Sequence, residues 1–181
     1  MSGAKPHIVI GVTGSIAAYK ACELVRLCDK QGWDVSVVMT ESATKFVTAL
    51  TFQTLSRNPV GVDAFAEPQQ WMPEHIGFAD RATVFVVAPC TANVIAKMAH
   101  GIADDMLTAA LLATRAPLLV APAMNVHMWD NPATQRNIAQ LRQDGVTVMD
   151  AGEGDLACGY TGRGRMPEPA AIVAEIALLL S

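Results

Sequence analysis

The chain has 181 residues, 51% of them hydrophobic and only 17% charged, with a net charge of −4. That length suffices for one domain with a full core and is too short for two ordinary ones. The acidic balance without a basic cluster argues against nucleic acid as a partner. No apolar run approaches the roughly 20 residues of a membrane span, so no membrane role is expected.

Charged residues fall below the roughly 25% usual for soluble domains, so further copies of the chain are expected to cover part of its apolar surface. The start, MSGAKPHIVIGV, holds one lysine and a short apolar stretch that runs into a glycine turn. It reads as a first strand rather than a signal peptide. Cys22, Cys28, Cys90 and Cys158 form no CxxC pair and show no His/Cys metal spacing. Reduced thiols, a cytoplasmic location and no metal are therefore expected.

In chain order, His7–Val12 is an apolar run ending at Gly14-Ser15, and IAAYKACELVRLCDKQ follows at helical spacing. Gly32 suits the end of that helix, where a positive φ is commonly needed. Asp34–Met39 is a second strand, and 41–50 a second helix begun by Thr40 or Ser42. Residues 58–77 read as irregular, with three prolines and Trp71. TVFVVA (83–88) is a strand, followed by helical TANVIAKMAHG and DDMLTAALLATR. Residues 117–121 form another strand, NPATQRNIAQLRQDG a helix with Pro132 in its first turn, and 146–149 a further strand. A glycine-rich loop (152–164) and a last helix over about 168–180 complete the pattern.

Strands alternate with helices, and the strands are continuous apolar runs rather than alternating ones. This predicts an α/β, three-layer, Rossmann-like or flavodoxin-like fold with a mostly parallel sheet covered on both faces. One domain over 1–181 accounts for the whole pattern, with a flexible flap at about 152–166. Ligands in such sheets bind at the carboxyl ends of the strands. Residues 13–15, 40–42, 89–93 and 122–125 fall there, each with small polar or amide side chains, which predicts one shared site.

GVTGSIAAYK sets a tight turn between strand and helix, where backbone N–H groups can hold a phosphate. It is neither a P-loop nor GxGxxG, and a tight turn needs glycine whatever it binds. In Thr40-Glu41-Ser42, Glu41 suits a ribose, whereas the flanking hydroxyls better suit a mononucleotide phosphate or a plain N-cap. Thr91 and Asn93 in APCTAN stand at another strand end, with small Ala88 and Ala92 permitting close approach of a planar ligand; an N-cap explains them equally well. His75, in PEHIGFAD, precedes a ligand-facing strand, unlike His100 and His127, which read more simply as structural. In GDLACGYTGRGRM, Cys158 sits on a loop of glycines beside two arginines, where a mobile flap delivering a thiol is the sharper reading.

GSIAAYK, APCTAN, PAMNVHMWDNPATQRN and LACG…GRGRMPEP, in this order and with these separations, closely resemble the phosphopantothenoylcysteine decarboxylases of the homo-oligomeric flavin-containing cysteine decarboxylase family. The resemblance covers essentially the whole chain, and PAMN with MW and NPATQRN is its most specific part. Departures are Thr91 for the usual serine, Val94 after the alanine–asparagine pair, Tyr160 after ACG, and Gly77-Phe78 for the common Glu-Leu. Many bacterial relatives carry a second, synthetase domain; here the pattern ends with the last helix, so no ligase activity is expected.

The resemblance implies FMN as cofactor, contacted by Gly14, Ser15, Ile16, Thr40, Ser42, Thr91, Ala92, Asn93 and Ala123. It implies substrate contacts at Asn125, Met128, Ala157 and Arg165, with His75, Asn125 and Cys158 as the catalytic set: His75 the base and Cys158 the proton donor. Met124, Met128 and Trp129 would support the amide and a subunit contact, in a homotrimer or homododecamer. The implied reaction is FMN-dependent decarboxylation of 4'-phosphopantothenoyl-L-cysteine to 4'-phosphopantetheine in coenzyme A biosynthesis, through a thioaldehyde and an enethiol. A carbanion left by CO₂ needs an electron sink, and reversible oxidation of the thiol creates one. Rival readings are a peptidyl-cysteine decarboxylase, a flavin prenyltransferase and a regulatory flavoprotein.

Overall fold

The computed structural model describes residues 5–65, 73–155 and 161–181. Strands β1 (His7–Val12), β2 (Asp34–Met39), β3 (Val60–Gly61), β4 (Val84–Cys90), β5 (Leu118–Pro122) and β6 (Thr147–Val148) make one parallel sheet. Their order is β3-β2-β1-β4-β5-β6. The chain thus turns from one half of the sheet to the other between β1 and β4, which opens a crevice at their carboxyl ends.

Helices cover both faces, as the continuous apolar strands predict. On one face Ile8, Ile10 and Val12 pack with α1 (Ala18–Lys30), with Phe52 of α2 (Ala49–Ser56) and with Ile172 and Ile176 of α8 (Pro169–Leu179). On the other, Val9, Phe85 and Val87 pack with α3 (Glu74–Arg81), α4 (Ala92–His100), α5 (Met106–Ala113) and α7 (Pro132–Gln143). Alternate residues of β1 therefore serve different cores, and each fully buried Ile or Val contributes about 1.5–3 kcal/mol of transfer free energy. Gly11 is the small member of that series: a Cβ there would lie 2.6 Å from Leu107 Cδ1.

Three segments differ from the sequence expectation. Residues 41–50 are not one helix: a 3₁₀ turn covers Glu41–Lys45, and α2 starts only at Ala49. β-Branched Thr44, Val47 and Thr48 weaken a continuous helix there, and Thr48 is extended at φ −76°, ψ 151°. The stretch 58–77 contains β3 and the first turn of α3, so it is less irregular than its prolines imply. The glycine-rich stretch 152–164 is an antiparallel hairpin at its described ends, β7 (Gly152–Asp155) with β8 (Thr161–Arg165). Gly32, at φ +81°, follows the end of α1 as expected.

Candidate active site

The pairing of β1 with β4 runs from Ile8 opposite Val84 to Gly11 opposite Val87. Just beyond it, Thr13 Oγ1 donates to the Pro89 carbonyl at 2.7 Å and accepts from the Thr91 N–H at 3.1 Å. Thr13 is fully buried, so this hydroxyl forms the floor of the crevice. The next residues turn sharply: Ser15 N–H donates to the Thr13 carbonyl, and Ser15 Oγ accepts from Ala17 N–H at 3.2 Å. α1 starts with neither a side-chain cap nor an acidic residue in its first turn, so its positive end is not neutralised by the chain itself.

Gly14 faces the β2 end. A Cβ on Gly14 would lie 2.5 Å from Ser42 Cβ, so only glycine lets these two turns meet. Thr40 is held there by its N–H to the Val12 carbonyl, and its hydroxyl accepts from Ala43 N–H at 3.3 Å. Thr91 caps α4 by accepting from Val94 N–H, while Ala92 is half-buried and Asn93 exposed. The Gly14–Ser42 approach and the Thr13–Thr91 bond thus bring the turns after β1, β2 and β4 together at one end of the sheet. Thr40 and Thr91 do cap as the plain reading has it, and capping leaves their elements aimed at the site.

At the end of β5, Ala123 N–H donates to the Cys90 carbonyl, and Ala123 is buried. Asn125 is the N-cap of the single-turn helix α6 (Val126–Trp129): its Oδ1 accepts from His127 N–H at 2.8 Å. That bond fixes the carboxamide's direction at the strand end, which answers why an amide follows the core strand. The hairpin lies directly on this loop. Met124 N–H donates to the Gly164 carbonyl at 2.9 Å, and Gly162 faces Val126. Arg165 is 3.6 Å from Glu168, whose carboxylate also accepts from Lys20 Nζ of α1 at 2.9 Å. Lys20 holds the Glu168 carboxyl below its ordinary range, with burial opposing and Arg165 assisting.

His75 stands in the first turn of α3, half-buried and without a hydrogen-bonding partner among the described residues. α3 runs back along the sheet into β4, so its first turn lies at the same carboxyl end as the crevice. No hydrogen bond or ion pair among the described residues joins His75 to Asn125 or to the β1 turn. Trp129 is buried in the core with α4 and α7, and of the three residues expected to support the amide and a subunit contact only Met128 is exposed. Ile16, Tyr19, Phe46 and Leu50 are also exposed, all on the elements that follow β1 and β2. Burial pushes the Cys28 thiol up to about 12 and the Cys90 thiol higher still, and it raises Cys22 as well. Cys158 and Ala157 lie outside the described residues, as do Trp71 and Tyr160.

Sequence reasoning placed Thr13 among the strand-end residues without giving it a role of its own, and it did not single out the glycines of β8. A lone polar residue between an apolar strand and a glycine was the signal for Thr13. For Gly162 and Gly164, it was glycine at every second position, the spacing of one strand face laid against another backbone.

The Flavoprotein family model matches residues 2–181, and the chain belongs to that family. It is 54% identical over 167 residues to the coenzyme A biosynthesis bifunctional protein CoaBC of Bacillus subtilis (strain 168), covering 92% of this chain and 41% of that protein. The chain therefore spans about two-fifths of the length of the curated relatives it matches. Among solved structures it is similar to a cysteine-to-serine mutant of PPC decarboxylase complexed with pantothenoylaminoethenethiol. That likeness has a TM-score of 0.86 at 33% identity and covers 96% of this chain and 97% of the other. The FMN-dependent cysteine decarboxylase SpaF is similar at a TM-score of 0.82 and 30% identity, over 98% and 99% of the two chains.

Proposed function

We propose that this chain is an FMN-dependent lyase that decarboxylates 4'-phosphopantothenoyl-L-cysteine to 4'-phosphopantetheine in coenzyme A biosynthesis. The observation that carries the reading is the backbone joint between Met124 and Gly164. It lays the strand leading out of the Cys158 segment on the loop that holds Asn125. The Asn125 amide and the described strand β8 thereby meet at one end of the sheet, which supports the reading.

The residues at that crevice fit FMN. Gly14 lets the turn after β1 close on Ser42, and the start of α1, without a side-chain cap or an acidic residue in its first turn, suits a single phosphate. Gly14, Ser15, Ile16 and Ser42 would hold the phosphate end, with Thr40, Thr91, Ala92, Asn93 and Ala123 along the rest. When bound, FMN supplies a reversible two-electron acceptor that gives decarboxylation its electron sink.

Asn125 would hold the substrate carboxylate through its amide, oriented by the bond to His127 N–H. His75, half-buried and without a hydrogen-bonding partner among the described residues, would accept a proton in the oxidative step. Cys158 would return a proton to carbon once CO₂ has left. Cys28 and Cys90 do not compete for that role, because both are fully buried in the core. Arg165, half-exposed and 3.6 Å from Glu168, would meet the substrate phosphate together with Met128 and Ala157 at the mouth.

The exposed Ile16, Tyr19, Phe46, Leu50 and Met128 support a further proposal, that copies of the chain meet around the flavin in a homotrimer or a multiple of it. No helix among the described residues is long and apolar enough to cross a membrane, and a cytoplasmic location is proposed. A peptidyl-cysteine substrate is not favoured, since the relative at 54% identity is a coenzyme A biosynthesis protein.

The test is Cys158→Ser with phosphopantothenoylcysteine. The variant should bind FMN and release CO₂ about once per site, then stall with the enethiol unreduced. Repeated turnover to the aminothiol would remove Cys158 from the mechanism, and heat-released flavin that chromatographs as FAD would overturn the cofactor.

A further inference from the structure

Thr13 makes no expected contact with flavin or substrate, yet it is the buried polar side chain at the point where the two halves of the sheet part. Its hydroxyl has one proton to give and here gives it to the Pro89 carbonyl at 2.7 Å. It also accepts from Thr91 N–H at 3.1 Å. The Thr91 hydroxyl in turn caps α4 by accepting from Val94 N–H. The chain Pro89–Thr13–Thr91–Val94 therefore links the turn after β1 to the first turn of α4. Past Gly11 opposite Val87 the recorded strand pairing has ended, so this hydroxyl takes over the joining of β1 to β4.

From that bridge we propose that Thr13 is a positioning residue: it sets the separation of the Gly14–Ser15 turn from the Thr91–Asn93 turn, and hence the width of the FMN crevice. The proposal rests on the FMN reading above. The hydroxyl holds the segment after β4 at two points, the Pro89 carbonyl and the Thr91 N–H, so the spacing depends on both. Valine has the same shape and can make neither bond. It leaves a backbone carbonyl and an N–H without their partner beneath the ligand, and the two turns are then free to drift apart. Serine keeps both bonds and loses only a methyl group.

This separation of shape from hydroxyl makes the role testable apart from fold stability. Both variants can lose stability, Thr13→Ser through its methyl group and Thr13→Val through the carbonyl and N–H left unpaired, so a purely structural Thr13 predicts FMN release that follows melting temperature. A positioning Thr13 predicts fast release from Thr13→Val alone.

The experiment follows FMN release from the purified holoenzyme, well below melting, as the rise of free-flavin fluorescence. Thr13→Val should release FMN at least tenfold faster than wild type, and Thr13→Ser within threefold of it, whatever their order of melting temperature. Equal release by the two variants, or wild-type release by Thr13→Val, overturns the proposal. If Thr13→Val does not accumulate as folded protein, amide exchange in the wild-type holoenzyme decides. Thr91 N–H, at a helix start with no intrahelical partner, should exchange at least tenfold slower than in an unstructured peptide, and an unprotected rate overturns the bridge. Wild-type protein that purifies without FMN overturns the functional reading and this inference with it. FMN-loaded wild type with an indifferent Thr13→Val overturns only the role of Thr13.

Discussion

Gly164→Ala is the substitution whose consequence the geometry fixes most closely. The hairpin meets the loop that holds Asn125 backbone to backbone, and a Cβ on Gly164 would lie 2.3 Å from the Met124 carbonyl oxygen and 3.3 Å from its carbon. That is about 1 Å short of an ordinary contact, and the obstacle is backbone, not a side chain that can swing away. Gly164 is also at φ +144°, where an L side chain is strained; such a conformation costs roughly 1–3 kcal/mol. Moving β8 off the loop breaks the Met124–Gly164 hydrogen bond, worth about 1 kcal/mol net. The sum is about 2–4 kcal/mol, and its relief is local, because the hairpin packs on α6 rather than in either core.

Detachment of β8 should therefore raise the KM for phosphopantothenoylcysteine at least tenfold, since about 1.4 kcal/mol is a factor of ten. FMN content should stay at the wild-type level and melting should shift by only a few degrees. Gly162→Ala is the internal control: its Cβ would meet Val126 Cγ2 at 2.9 Å, a side chain that can yield, so its effect should be the smaller of the two. The assay is CO₂ release against substrate concentration, with flavin absorbance read in the same samples. A wild-type KM in Gly164→Ala would refute the idea that the docked hairpin completes the substrate site. Loss of FMN instead would show that the hairpin supports the crevice.

Gly14→Ala should purify with little FMN, because its Cβ must displace Ser42 and, at 3.2 Å, the Ser42 backbone; flavin absorbance per protein checks it. Burial, against the Asp34 carboxylate 3.1 Å away and with Arg81 assisting, holds His7 below 6.5, and its Nε2 lies 2.9 Å from Ser36 Oγ. A depressed histidine binds its proton more readily when unfolded, so this stability is present above pH 6.5 and is lost as pH falls below it. His7→Gln should flatten the melting curve's pH dependence in that window, and an unchanged slope would refute the assignment. Static light scattering should find trimers or multiples of them, and an active, flavin-bound monomer at micromolar concentration would sink the shared-face proposal.

The sheet was legible because burial on both faces writes itself as unbroken apolar runs, and β1, β2, β4 and β5 stand where those runs are. Gly32 and the Thr40 and Thr91 caps were legible for a similar reason: each answers a demand of its own helix end. The hairpin was not. Glycine is depleted in strands, so a run with glycine at 152, 154, 159, 162 and 164 reads as loop. Only the approach of Met124 explains why β8 tolerates and needs it, and that approach is tertiary. The burial of Trp129 was not legible for the complementary reason: on a single-turn helix it neighbours exposed Met128 yet points into the core.

The same distinction bears on why the motifs look as they do. GSIAAYK holds Gly14 for Ser42 and Lys20 for Glu168; PAMN offers Met124 to Gly164; APCTAN offers Pro89 and Thr91 to Thr13. In each motif, then, some residues serve to join segments far apart in the chain, and in the functional reading only a few touch the reacting groups. A parallel sheet delivers its strand ends to one place but leaves the loops between them unfastened, since loops carry few contacts of their own. Close backbone approaches at glycine, one buried hydroxyl and a shared carboxylate do that fastening here. Each depends on one side chain or on its absence, so a substitution at a joint should disturb ligand binding before it disturbs the fold.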